Sequence, residues 1–216
     1  MDRPSPAPAS SGSPRTGSAH RPPSGRQYVI GHGAERLVVT EVGGGIRSYT
    51  VDDEPVLDGY DVDALCSGGR GQVLAPWPNR LGDGRYRFGD RACRAALDEP
   101  DRGNAIHGLV RWLPWEVRAQ AQNVLSVGCV LQPQPGYRWR LDVEVEYRLG
   151  RGGLVVSAEA TNVDDEPAPF GIGFHPYLTV GTPTVDSARL QLSAGYVVRT
   201  DDRGLPVGTA PVAGSE

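Results

Sequence analysis

LDVEVEYRL, residues 141–149, places an apolar side chain at every odd position and a charged one at every even position. A period of two belongs to a β-strand, whose successive side chains point to opposite faces, so the stretch predicts a strand with one dry and one wet face. It runs into Gly150-Arg151-Gly152-Gly153, after which Leu154, Val156, Ala158 and Ala160 repeat the same period. Glycine reaches positive φ without steric cost, so a hairpin is expected at 150–153. Weaker versions of the signature predict strands at 27–30, 36–42, 46–51, 112–119, 124–131 and 188–192, separated by Gly, Pro and Asp clusters. Many short strands without crossover helices predict an all-β fold, an antiparallel β-sandwich rather than an α/β sheet. GHG at 31–33 and GGG at 43–45 open no helical pattern, and are expected to be turns rather than nucleotide loops.

Composition narrows the chemistry. A net charge of −4 leaves no basic excess to neutralise phosphates, so no nucleic-acid partner is expected. All 22 basic residues are arginine, which removes Schiff-base lysines and a P-loop lysine at once. Cys66, Cys93 and Cys129 lie far apart with no CxxC pair, which argues against a disulfide framework and points to the reducing cytoplasm. No apolar run has the length of a membrane span. Residues 1–25 are rich in Pro, Ser and Gly without an apolar signal region, and are expected to be a disordered tail ahead of one domain at 26–216.

Two of the four histidines stand in informative surroundings. His20 belongs to the tail and His32 to a Gly-rich turn, whereas His107 sits in GNAIHG (103–108) and His175 in FGIGFHPY (170–177). Neither has a second His or Cys at zinc-site spacing, so no metal is expected. A lone imidazole is more often a hydrogen-bonded structural residue than a catalyst, and context must decide. APWPNRLGDGRY (75–86) concentrates an aromatic ring, an amide and a guanidinium in one loop. Sugar sites combine such groups, the ring against C–H faces and the planar donors on hydroxyls.

Three segments in order carry a resemblance: PWPNRLGDGRYRF (76–88), NAIHGLVRWLPWEV (104–117) and PFGIGFHPYL (169–178). They resemble the Asn-Arg loop, the Asn-x-x-His-Gly segment and the His-Pro-Tyr segment of the aldose 1-epimerase (galactose mutarotase) family. GGGIRSYTVDDEPVLDGYD (43–61) and LVVSAEATNVDDEPAPF (154–170) are similar to the family's flanking strands. The resemblance runs from Gln27 to the C-terminus and implies a galactose mutarotase-like supersandwich. It implies interconversion of the α and β anomers of a hexose by acid/base ring opening, with no cofactor. It implies His175 as the catalytic acid, with Asn79, Arg80, His107 and Tyr177 binding substrate. The family's catalytic glutamate and a sugar-binding aspartate lie on later strands. Only residues 178–216 follow Tyr177, so the sandwich is expected to be incomplete at its C-terminus and to lack the base; Glu216, outside any strand pattern, is not nominated. Two other readings stand beside the enzyme: a carbohydrate-binding remnant without turnover, and a hexose-6-phosphate epimerase-like protein using Arg85 and Arg87.

Overall fold

A computed structural model describes residues 21–212, and in them the regular structure is almost entirely antiparallel strand. The first sheet is a meander of β1 (Gln27–His32), β2 (Glu35–Thr40), β3 (Ile46–Val51) and β4 (Glu54–Pro55). Ile30, Leu37, Val39 and Tyr49 turn inward from it. The GGG between β2 and β3 is a turn, as expected, with Gly43 and Gly44 at φ 80° and 60°. Gly44 tolerates no side chain: a Cβ would lie 2.5 Å from the ring of Trp115.

Five short strands follow: β5 (Val73–Leu74), β6 (Arg80–Gly82), β7 (Arg85–Phe88), β8 (Arg91–Arg94) and β9 (Asn104–Ile106). β6 pairs with β9, and β7 with β8. The second sheet is another meander of β10 (Glu116–Gln120), β11 (Val124–Leu131), β12 (Leu141–Gly150) and β13 (Gly153–Asn162). In β12 the alternation of the sequence becomes alternation of burial, with Leu141, Val143, Val145, Tyr147 and Leu149 at most 2% exposed. The β12–β13 hairpin closes on Arg151-Gly152, with Gly150 opposite Gly153. On the outward face Arg118 of β10 pairs with Asp142 and Glu144 of β12, and Ser126 donates to Glu144, which keeps that face polar. Between the sheets lies one core, in which Trp115, Tyr137 and Trp139 are almost wholly enclosed. The hydroxyl of Tyr147 crosses it to donate to the carbonyl of Gly44 at 2.6 Å.

β14 (Gly173–Phe174) pairs with β5, and β15 (Tyr196–Thr200) with β16 (Pro206–Pro211). The fold is thus the all-β antiparallel one expected, with local departures. The strand expected at 112–119 begins only at Glu116, because the backbone before it is spent on the turn at Gly43: Gly43 N–H donates to Leu113, and Trp115 N–H to Glu41. No strand forms at 188–192, where Leu190 and Leu192 are 80% and 72% exposed. A strand needs a neighbour for its N–H and C=O groups, and among the described residues none pairs with this segment. Residues 1–20 of the expected tail lie outside the described residues, as does Glu216. Residues 22–25 form a turn on the first sheet, with Ser24 4% exposed and its carbonyl accepting from Val42 N–H at 3.0 Å. No helix among the described residues is long and apolar enough to cross a membrane.

Candidate functional site

The connection from β5 to β6 carries Asn79, β6 opens on Arg80, and His107 directly follows β9. Asn79 and His107 both hold left-handed backbone, at φ 60° and 63°. Such a conformation is uncommon outside glycine and is kept where surrounding contacts enforce it. Here the two residues enforce each other. His107 N–H donates to the Asn79 carbonyl at 2.8 Å, and Asn79 N–H donates to His107 Nδ1 at 3.1 Å. The chain leaves His107 through Gly108, whose φ is 73° and whose Cβ would lie 2.0 Å from the carbonyl oxygen of Ala75, so only glycine fits. Because Nδ1 accepts, the neutral imidazole carries its proton on Nε2. Burial, aided by the charges of His175, Arg111 and Arg80, pushes the His107 pKa down to about 4, so the ring is neutral near pH 7.

β14 delivers the second imidazole. Its pairing with β5 places His175 beside Gln72, where His175 N–H donates to the Gln72 carbonyl and the His175 carbonyl accepts from Gly71 N–H. The rings of His107 and His175 meet edge to face, 5.1 Å between centroids. Tyr177 stacks on His175 at 5.3 Å, and its hydroxyl donates to the Gly68 carbonyl at 3.0 Å. Arg70 covers the Tyr177 ring, its guanidinium carbon 4.8 Å from the centroid. Three segments spread over a hundred residues of sequence therefore bring His107, His175, Tyr177, Asn79 and Arg80 together.

Arg80 is held. Its Nε and Nη2 donate to the two oxygens of Glu99, both at 2.8 Å, and its Nη1 donates to Asn79 Oδ1 at 3.2 Å. That fork holds the Glu99 carboxyl well below its usual range, at about 2. Neighbouring Asp98 accepts from Ile106 N–H at 2.7 Å and from Arg111, fixing the strand that ends in His107. Glu99, Asp98 and Arg111 escape sequence reasoning because nothing in their spacing marks them. Asn104, the first residue of the Asn-x-x-His-Gly segment, was the available signal: it is fully buried and donates to Glu99 at 2.7 Å. Arg85 and Arg87 lie on the outward face of β7 with Arg94 of β8 across from Arg85, and no hydrogen bond or ion pair joins them to the site's described residues. No group of three metal-ligating side chains forms among the described residues.

A largely apolar cavity of about 450 Å³ adjoins His175, with Ile46, Leu57, Leu154, Val156 and Phe174 in its wall. A smaller one of about 240 Å³, between Trp77, Tyr86, Tyr137 and Phe170, has neither imidazole in its wall.

Comparison with known proteins places the chain in a family. The family model for Aldose 1-epimerase matches residues 26–215. The uncharacterized protein YihR of Escherichia coli K12 is 30% identical over 184 residues, which cover 85% of this chain and 60% of that protein. Uncharacterized protein YphB of the same organism is 29% identical over 177 residues, 78% of this chain and 56% of that one. The chain therefore spans about 60% of the length of these curated relatives. A GalM/aldose epimerase homologue from C. elegans superposes with a TM-score of 0.77 at 18% identity, over 88% of this chain and 63% of that one. A galactose mutarotase-like protein from Clostridium acetobutylicum gives 0.72 at 20% identity, over 85% and 60%. At these identities the likeness to the solved structures is one of fold.

Proposed function

Because the chain belongs to the aldose 1-epimerase family, we propose that its site binds a free hexose over the paired imidazoles and serves opening and reclosure of the sugar ring. In this reaction a base removes the proton of the anomeric hydroxyl, the C1–O5 bond breaks as C1=O forms, and an acid protonates O5. Reclosure on the other face of C1 gives the other anomer, with no net oxidation and no cofactor. His175 is the proton donor to the ring oxygen, a role an imidazole fills near neutral pH. His107, neutral with a proton on Nε2, donates a hydrogen bond to a sugar oxygen, while the side-chain amide of Asn79 and the remaining N–H groups of Arg80 hold hydroxyls. Tyr177 walls the site beside His175.

The observation that carries this reading is the convergence of the two rings at 5.1 Å, with Tyr177 stacked on one and Asn79 bonded to the other. One observation also favours binding without turnover. Glu99 and Asp98, which flank the Asn-Arg loop and His107, are both engaged by guanidinium groups, and neither is free to act as the base.

Polarimetry of freshly dissolved α-D-glucose and α-D-galactose tests the proposal. A positioned acid or base contributes on the order of 10²- to 10⁴-fold to a rate. With the acid present and Glu99 and Asp98, the carboxylates flanking the site among the described residues, both engaged by arginines, slow catalysis is expected, rising with added acetate and abolished by His175→Ala. Sugar-induced shifts of the histidine resonances without faster decay of rotation would select the binding reading. A lack of both effects would refute each reading.

A further inference from the structure

A buried polar network ties the Asn-Arg loop to a hairpin far away in sequence. Asn104 of β9 is fully enclosed, and its amide donates both to Glu99 and, at 3.0 Å, to the carbonyl of Arg203. Its Oδ1 accepts from Arg203 Nη2 at 3.2 Å. Arg203 lies in the turn between β15 and β16. Its Nε donates to the Arg102 carbonyl at 2.8 Å, and Nη2 also reaches the Gly103 carbonyl at 2.7 Å and Asp83 at 3.0 Å. One guanidinium thus fastens the β6–β7 turn to the loop that carries Glu99. Next to it Leu205 seats against Gly82, and Gly204, at φ 75°, lies so close to Arg80 that a Cβ would come within 2.9 Å of Nη1. The strands of this hairpin are exposed along almost their whole length, so it is docked by its tip.

We propose that Arg203 is a positioning residue for the sugar site, acting through Asn104 and Glu99 on Arg80. Glu99 fixes the plane of the Arg80 guanidinium, and its Oε2 is shared with the amide of Asn104. The orientation of that amide is set on its other side by Arg203, which takes both its oxygen and one of its N–H groups. Without the Arg203 guanidinium, Asn104 Oδ1 loses its donor among the described residues, and the hairpin tip that presents the residue-203 carbonyl to the amide loses its fastening, so the amide is no longer held on that side. An amide held on one side only supports Glu99 less firmly, and Arg80 loses its fixed direction toward Asn79. The structural link stands on hydrogen bonds alone, while the consequence for sugar rests on the function proposed above.

The experiment pairs two readouts on the full chain: the ¹⁵N-detected Nε–H resonance of Arg80, and affinity for D-galactose and D-glucose by titration. Arg203→Ala is expected to shift or broaden the Arg80 signal and to weaken binding of whichever sugar the parent protein takes by about tenfold. Millimolar guanidinium ion, supplied to the vacated position, is expected to restore both. Should Arg203→Ala not fold, Arg203→Lys makes the same comparison, because a compact ammonium cannot span the same set of acceptors. Leu205→Ala, which loosens the tip but keeps the guanidinium, is expected to leave the Arg80 signal in place. An Arg80 resonance unchanged by loss of the Arg203 side chain overturns the proposal. A resonance that moves in a protein that binds neither sugar upholds the positioning and removes the sugar reading instead.

Discussion

Asn79 and His107 each occupy a backbone conformation that neither would choose alone, and each supplies the bond that keeps the other there. The His107 ring is held neutral by burial and by the cations around it, and that has a stability consequence of definite sign. Its pKa in the folded chain is about 4, against an ordinary 6.5, so between these values the unfolded chain binds a proton that the folded one refuses. The contribution is fully present above about pH 6.5 and is lost as the pH falls toward about 4. Urea unfolding at pH 7 and pH 4.5 should therefore show a larger acid loss for the parent protein than for His107→Gln; equal losses would place the titration elsewhere. Glu99→Gln removes the charge from the fork on Arg80, and is expected to cost about 1–2 kcal/mol in the same assay, since hydrogen bonds to charged groups exceed neutral ones. Of these residues the histidines, Asn79 and Arg80 stood out in the sequence because short motifs surround them. Glu99 did not, because its partner is 19 positions away and no periodicity links the two.

At the level of elements, legibility followed length. The ten-residue strands β12 and β13 offer several repeats of the period-two pattern, and their hairpin was readable to within one residue on each side of the turn. The strands β5 to β9 span two to four residues each, too few for any period to show, yet they carry or brace the site. Residues 188–192 had strand-like composition and no neighbour to pair with, while β15 was missed because Tyr196-Val197-Val198 does not alternate. The buried face of β12 should dominate stability. Leu149→Ala, at a fully enclosed position, is expected to cost about 2–5 kcal/mol. Val155→Ala on the open face of β13, 55% exposed, should stay within about 0.5 kcal/mol. Thermal or urea unfolding of the two variants checks the contrast, and similar losses would mean that β13 is covered in solution.

The molecule as a whole is unevenly finished. Between the two sheets the apolar side chains are enclosed, but Leu178, Val180, Leu190, Leu192, Tyr196 and Val207 are each more than 60% exposed in the last third of the chain. Isolated exposed apolar residues are ordinary, whereas so many in one region mark a surface that seeks cover. The native protein is accordingly expected to bind the dye ANS and to sediment faster as its concentration rises; a dye-silent, concentration-independent monomer would contradict this. The same last third supplies the arginine that completes the surroundings of Asn104, and this has a consequence in time. Asn104 precedes Arg203 by 99 residues, and at a synthesis rate of about 5–20 residues per second the arginine follows it by roughly 5–20 s. For that interval the amide that ends fully enclosed must remain hydrated, and the loop bearing Glu99 must wait unclosed. The loop bearing Glu99 is therefore among the last parts of the described chain to close, although its own residues are made about 100 positions earlier.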